Sequence, residues 1–197
     1  MKIYELIVDE ETNGVSAISL VENPAVEYNF LMFSKEKMMF NIENLEKREL
    51  FGVIMLADTP ILRNENKILG IPVHYITFTK ETIKQIVEKY SKRKLNDSVT
   101  LDHNVSTDGV YMFESYIINR EQGIYPPKEF IDIPDGSWVG RFKVENEDVW
   151  NSIKSGTFKG FSIEGEFKYN FNSEEDIDDD KYWNELYDYL QKILKNK

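Results

Sequence analysis

Cysteine is absent from this chain of 197 residues. Its absence excludes disulfides, zinc sites with thiolate ligands and cysteine nucleophiles, and it suits a reducing compartment. Long apolar runs are also lacking: none approaches the ~20 residues that cross a bilayer, and the opening segment MKIYELIVDE has no apolar signal-peptide core. We therefore expect a soluble, cytoplasmic protein that makes no contact with a membrane.

Positive charge is in short supply. Lysine and arginine together number 24, against 35 aspartates and glutamates, so the formal net charge is −11. Binding to nucleic acid needs a basic surface, and we expect no nucleic-acid partner. The densest acidic run, residues 173–180 (SEEDIDDD), lacks the alternating ligands and the glycine of a calcium loop. The sequence therefore predicts no metal site and no cofactor.

Hydrophobic residues make up 41% of the chain, which is enough to build a core, and the length fits one domain with extensions. In residues 1–48 the apolar residues show no sustained helix or strand periodicity, so we expect an N-terminal arm or peripheral layer with one short strand at Ile3–Val8. Residues 49–170 carry regular patterns and form the predicted main domain. Residues 171–197 predict an acidic linker followed by an amphipathic helix at Lys181–Lys195.

The main domain has strand-like and helix-like patterns in turn. Thr79 can cap a helix that runs to Lys92, and Asn146 can cap a second, shorter helix. Segments rich in β-branched and aromatic residues predict strands at Leu50–Ala57, Val73–Thr79, Val99–His103, Val110–Ile118, Trp138–Val144 and Gly160–Phe167. Many strands with few helices indicate an α+β fold with a mainly antiparallel sheet or barrel.

Histidine is also scarce, since the chain has only two. His74 lies inside an apolar strand pattern, which favours a structural histidine. His103 lies at a predicted strand end beside a polar loop, where a rigid element can present a side chain to a cleft. If a histidine acts as a base in this protein, His103 is therefore the better candidate.

Ser162 lies between Gly160 and Gly165, and glycines allow another backbone to come close. A nucleophilic serine needs such room, although a serine with glycine neighbours in a strand is more often only a bend. Its hydroxyl also needs a base, and imidazole accepts protons near neutral pH. The sequence does not fit the G-x-S-x-G elbow, because the second glycine follows Ser162 by three residues.

A third group must orient the imidazole and stabilise its charge. Glu114 is the candidate, because strand alternation places it on one face with the apolar residues Met112 and Tyr116, where a carboxylate must be paired. The alternative is an edge-strand glutamate that faces solvent. Asp102 is a weaker candidate because it is expected on the opposite face from His103, and the helix dipole accounts for Asp148.

Several short motifs follow one another in a characteristic order: LDHN at residues 101–104, VW at 149–150, IK at 153–154 and GFSI at 160–163. In this order and spacing the chain resembles the phage prohead maturation proteases, and more closely their branch in defective Bacillus prophages. That branch also shows counterparts of residues 15–25, 58–63, 114–115 and 136–138. The resemblance covers about residues 14–168.

The resemblance implies a herpesvirus assemblin-like β-barrel flanked by helices. It implies a serine endopeptidase that cleaves scaffold and major capsid proteins, and itself, in the prohead interior. Ser162 would be the nucleophile, His103 the base and Glu114 the third member. Herpesvirus enzymes place their third member, and an arginine that assists the oxyanion, after the serine; here neither histidine nor arginine follows Ser162. Backbone N–H groups near Ser162 are then the expected oxyanion donors.

Two alternatives to an active protease stay open. One is a non-catalytic capsid-assembly or scaffold-like protein that keeps the protease fold, for which the acidic segment and terminal helix would be interaction elements. The other is an unrelated small-molecule binding barrel, which no specific feature supports. Assembly into a homo-oligomer is also left open.

Overall fold

A computed structural model describes residues 2–22, 24, 40–45 and 47–171. Residues 172–197, with the predicted acidic run and terminal helix, lie outside the described residues, as do residues 1, 23, 25–39 and 46 of the predicted N-terminal arm. The helices are α1 (Lys80–Lys92) and α2 (Glu147–Lys154). The strands are, in chain order, β1 (Ile3–Ile7), β2 (Gly14–Val21), β3 (Phe40–Asn44), β4 (Glu49–Met55), β5 (Ile61–Arg63), β6 (His74–Thr77), β7 (Val99–Leu101), β8 (Val105–Ser106), β9 (Val110–Ile117), β10 (Trp138–Val144), β11 (Gly160–Glu166) and β12 (Lys168–Asn170).

These strands form three open, four-stranded sheets in the described part of the chain. Their strand orders are β12-β1-β6-β5, β3-β4-β10-β9 and β11-β2-β7-β8. Two pairings, β1 with β6 and β2 with β7, are parallel, and the others are antiparallel. The predicted α+β fold with mainly antiparallel strands is thus confirmed. The expected closed barrel is not found among the described strands, because each sheet ends in two edge strands instead of closing on itself.

The main core lies where the three sheets and both helices meet. Phe142 of β10 stacks on Phe161 of β11 with ring centroids 4.3 Å apart, and Trp138 contacts Tyr90 of α1 edge-on at 5.1 Å. A smaller apolar cluster around Phe51 and Val139 covers the opposite face of the β3-β4-β10-β9 sheet. That sheet is therefore packed on both faces.

Both predicted helix caps are present. The Thr79 hydroxyl accepts the Thr82 N–H at 3.2 Å, and the Asn146 side chain accepts two N–H groups of the first turn of α2. Each helix buries one apolar face against the core, as amphipathic patterning requires. Neither of the two helices in the described ranges is long and apolar enough to cross a membrane.

β2 comes from the predicted arm but lies in the interior of its sheet, between β11 and β7. Its side chains are buried at almost every position, on both faces of the strand. A strand that is buried on both faces shows no alternation of apolar and polar residues, and short apolar runs of this kind are ambiguous in a sequence. β1, the strand expected at Ile3–Val8, is present and lies between β12 and β6.

Candidate active site

A row of hydroxyl side chains crosses the middle of the β11-β2-β7-β8 sheet. Ser162 of β11 pairs with Ser19 of β2, and Ser19 pairs with Thr100 of β7. Directly paired residues have Cβ atoms about 4.5–5.5 Å apart on one face of the sheet. The neighbouring residues Phe161 and Leu20 point the other way and pack in the core. The three hydroxyls therefore share the face that points away from the core.

A tight turn after β7 places His103 beside this row of hydroxyl side chains. The Asn104 N–H donates to the Leu101 carbonyl at 3.0 Å, and the two residues between them, Asp102 and His103, have φ values of +44° and +59°. Two successive left-handed residues make a type I′ turn, a strained conformation that aspartate and histidine tolerate better than most residues. The predicted strand therefore ends at Leu101 and not at His103.

Three further contacts anchor the turn to β2 and to the residue that follows it. The buried Ser19 hydroxyl accepts the His103 N–H at 2.9 Å, and the Asp102 carboxylate accepts the Glu22 N–H at 3.1 Å. The Asp102 N–H donates to the Leu20 carbonyl at 2.9 Å. Strained backbone persists only where the surroundings hold it, and such positions cluster at functional sites. The turn thus fixes the backbone of His103 directly over Ser19.

Glu164 is the acidic partner of His103. The His103 Nδ1 and Glu164 Oε1 atoms are 3.3 Å apart, and the Thr100 hydroxyl donates to the same carboxylate. The side chains are 42% exposed for His103 and 29% exposed for Glu164, so both are accessible from solvent yet fixed by neighbours. A carboxylate at Nδ1 stabilises a proton on that nitrogen and leaves Nε2 free to accept one.

Ser162 shares a strand and a face with Glu164. The two residues are two positions apart on β11, which corresponds to about 6.6–6.8 Å along a strand. Within the described ranges the structure shows no hydrogen bond between Ser162 and His103. Contacts of this kind are often loose in an unliganded enzyme and tighten when substrate binds. The predicted nucleophile and base are therefore on one face of one sheet, with Glu164 and Ser19 between them.

Glu114 lies elsewhere, on β9 of the β3-β4-β10-β9 sheet. An irregularity after Met112 shifts the pairing, so that Glu114 lies opposite Arg141 and forms an ion pair with it. The bulge reverses the alternation, and the expectation that Glu114 shares a face with Met112 is wrong for this reason. The structure brings Glu164, and not Glu114, to His103.

His74 has a different environment. Its side chain is 1% exposed, its Nδ1 lies 2.7 Å from the Pro72 carbonyl, and its Nε2 lies 2.9 Å from the Tyr169 hydroxyl. Both ring nitrogens therefore have partners within the fold. These contacts fit the structural role that the sequence predicts for His74.

Sequence reasoning missed Glu164, Ser19 and Thr100. For Glu164 a signal existed: it follows Ser162 by two residues on a predicted strand, and strand alternation places such residues on one face. Ser19 and Thr100 join the site through pairings between distant segments, which no local pattern reveals. Within the ranges that the structure describes, no group of three or more histidine and acidic side chains is placed to hold a metal ion.

Comparison with known proteins gives one match. A family model described as "Putative phage serine protease XkdF" matches residues 71–170, which is 100 of the 197 residues and includes Ser162, His103 and Glu164. No curated protein and no solved structure matches the chain. Because the matched region covers half of the sequence and contains the whole Ser162–His103–Glu164 arrangement, the chain belongs to this family of phage serine proteases.

Proposed function

We propose that this protein is a serine endopeptidase of phage head maturation, in which Ser162 is the nucleophile and His103 the base. The observation that carries the proposal is the Nδ1–Oε1 contact between His103 and Glu164, on the face of the sheet that holds Ser162. Membership of a phage serine protease family supports the class of reaction. In this proposal Glu164 takes the orienting role that the sequence pattern predicts for Glu114.

The proposed reaction has two halves. Ser162 Oγ attacks the scissile carbonyl carbon while Nε2 of His103 takes the hydroxyl proton, and the negative charge of Glu164 stabilises the imidazolium. Collapse of the tetrahedral intermediate breaks the C–N bond, and His103 returns its proton to the leaving amine. A water molecule then attacks the acyl-enzyme, with His103 again the base, and releases the acid and free Ser162.

The turn and the hydroxyl row supply preorganisation for this chemistry. A base held by its own backbone and by a carboxylate loses less entropy on reaching the transition state than a mobile side chain does. His103 is held at its N–H by Ser19 and at its ring by Glu164. Backbone N–H groups near Ser162 stay the proposed oxyanion donors.

The proposed substrates are phage scaffold and major capsid proteins, together with the chain itself. This part of the proposal rests on the resemblance of residues 14–168 to prohead maturation proteases. It places the activity in the prohead interior within the host cytoplasm. A scaffold-like protein that has kept the fold without activity is the alternative that the experiment must separate.

The test is co-expression with the scaffold and capsid proteins of the same phage. Ser162→Ala should abolish their cleavage, and should also stop any shortening of the chain itself, without changing the circular dichroism spectrum. Ser106→Ala is the matched control, because it removes an exposed hydroxyl from β8 of the same sheet. Processing that continues in Ser162→Ala would overturn the proposed function, and absence of processing in the unmodified protein would favour the scaffold-like alternative.

A further inference from the structure

Thr100 and Glu164 lie on opposite sides of β2. Glu164 of β11 pairs with Ala17 of β2, and Thr100 of β7 pairs with Ser19, two positions further along β2. The axes of β11 and β7 are therefore about 9–10 Å apart, at twice the spacing of neighbouring strands. The Ala17 side chain is a single methyl group on the face that it shares with Glu164, so it leaves room for the longer glutamate side chain to reach β7.

Two donors meet at one oxygen of the Glu164 carboxylate. The Thr100 hydroxyl donates to Oε1, and His103 Nδ1 lies 3.3 Å from the same atom. A carboxylate oxygen has two lone pairs and accepts both. The Glu164 carbonyl oxygen accepts the Ser16 hydroxyl at 3.2 Å, so the backbone is held as well. Within the described ranges no other group forms a hydrogen bond with this carboxylate, and its orientation depends on Thr100 and His103.

The Thr100 hydroxyl holds the carboxylate without cancelling its charge. In the described part of the chain, His103 is the ion-pair partner of Glu164. Glu114 shows the other arrangement, because the Arg141 guanidinium group pairs with it and offsets its charge. A hydroxyl donor carries no net charge. The negative charge of Glu164 therefore stays available to the imidazolium that forms when His103 takes a proton.

We infer that Thr100 is a positioning residue of the proposed protease: its hydroxyl holds the Glu164 carboxylate in the orientation that accepts the His103 Nδ1–H. The inference rests on the proposed function. The Glu164 side chain is 29% exposed. A glutamate side chain has several rotatable bonds, and a partly exposed one without this hydrogen bond turns to water for part of the time. The neutral imidazole then loses the contact that keeps its proton on Nδ1 and leaves Nε2 free.

The first experiment reads the tautomer of His103 and needs no substrate. The full chain is labelled with a heavy nitrogen isotope, and NMR spectra that correlate ring protons with ring nitrogens distinguish a proton on Nδ1 from one on Nε2 in the neutral ring. Only two histidines contribute, and His103→Asn identifies the signals of His103. For the unmodified protein we expect the Nδ1–H form. Thr100→Val should shift His103 toward the Nε2–H form, as Glu164→Ala should, whereas Thr100→Ser should keep the Nδ1–H form.

Kinetics then test the effect on catalysis. The probe is a quenched peptide that copies a Ser162-dependent cut found by mass spectrometry in the co-expressed scaffold or capsid protein. Thr100→Val keeps the shape of the side chain and suits a strand. It should lower kcat by about 10- to 30-fold, through loss of a charge-assisted hydrogen bond, and leave KM within about two-fold. Thr100→Ser keeps the hydroxyl and should restore kcat to within about three-fold of the unmodified protein.

Two comparisons separate positioning from a general disturbance of the sheet. Thr107→Val is the matched control: it makes the same chemical change where the hydroxyl donates to the Asp108 carbonyl at 3.4 Å, and kcat should stay within about two-fold. In a Glu164→Ala background, Thr100→Val should change kcat by less than about two-fold, because Thr100 acts through Glu164. Urea titration verifies that each variant is folded under the conditions of the assay.

The outcomes distinguish this inference from the function on which it rests. An unchanged His103 tautomer in Thr100→Val would overturn the role of Thr100 and leave the protease intact. A further loss of kcat from Thr100→Val in the Glu164→Ala background would also overturn it, because Thr100 would then act on another group. If no cleavage depends on Ser162, the proposed function itself fails, and the positioning role fails with it.

Discussion

The two histidines of this chain lie at two different sheets, and their imidazole rings have different environments. In the β12-β1-β6-β5 sheet, His74 is buried and its two ring nitrogens lie within hydrogen-bond distance of the Pro72 carbonyl and the Tyr169 hydroxyl. In the turn between β7 and β8, His103 is half-exposed, and its ring contact within the described ranges is the Glu164 carboxylate. Both nitrogens of His74 thus have partners, whereas for His103 the described part of the chain supplies a partner to Nδ1 and none to Nε2.

Replacement of His103 should have the largest effect on activity and little effect on folding. His103→Asn is the suitable variant, because asparagine also accepts the left-handed conformation of the turn. We expect kcat/KM for peptide cleavage to fall by at least about 10³-fold, since the base is lost. The free energy of unfolding should change by less than about 1 kcal/mol, because the side chain is half-exposed. Activity within ten-fold of the unmodified protein would show that His103 is not the base.

Glu164 and Glu114 allow a second comparison, between a carboxylate beside His103 and one on another sheet. Glu164→Gln should lower kcat by about 100-fold, because the imidazolium loses its negative partner. Glu114→Gln is the matched control: it removes the same charge from the Arg141 pair on the other sheet, and activity should stay within about two-fold. Equal losses in the two variants would contradict the assignment of Glu164.

Replacement of His74 should lower stability and leave activity unchanged, which is the opposite of the effect expected for His103. His74→Ala removes a buried ring and leaves the Tyr169 hydroxyl without its partner, so the free energy of unfolding should fall by about 2–4 kcal/mol. Urea titration measures this loss. The activity per folded molecule, determined below the unfolding transition, should match that of the unmodified protein. A catalytic defect without a stability defect would mean that the roles of the two histidines had been exchanged.

The smallest expected effect is a difference in acid stability between the sheet that contains His74 and the sheet beside His103. Lys168 of β12 donates to Asp9 and to Glu11, and its hydrogen bond is the main cause that holds the pKa of Asp9 well below its usual range. A lowered carboxylate pKa stabilises the fold above the ordinary value near 4, and the contribution is lost as pH falls through and below that value. Acid should therefore loosen the His74 region first.

The same pair also raises the pKa of Lys168, mainly through its hydrogen bond to Asp9. That contribution is present below the ordinary lysine value near 10.4 and is lost only as pH rises through the raised one. Lys168→Met should thus make the free energy of unfolding fall less steeply between pH 5 and pH 3 (roughly, from the carboxylate range). Urea titrations across this interval give the slope, and an unchanged slope would exclude this pair as the source of acid sensitivity.

Local signals predict both helices of the described ranges and seven of the twelve strands found there. The caps at Thr79 and Asn146 are contacts between residues three or fewer apart, so the sequence shows them directly. The face of the sheet to which each β9 side chain points is not predictable in this way, because the bulge after Met112 is defined only by pairing with β10. That shift is why the sequence pattern places Glu114 on the face of Met112, whereas the structure pairs it with Arg141. The place of β2 depends on pairing with β11 and β7, segments about 140 and 80 residues away, respectively, and local patterns carry no information on such partners.

The pairing of β11 with β2 shifts register between Glu164 and Gly165, and this irregularity affects how the site can fail. At Gly165 a Cβ atom would lie 2.5 Å from the carbonyl oxygen of Gly14, so the strands approach there more closely than any other residue allows. This close approach fixes the alignment of β11 against β2. A slip of one residue would turn the hydroxyl of Ser162 and the carboxylate of Glu164 toward the core together. A misaligned molecule therefore loses the proposed nucleophile and the proposed orienting group in one event.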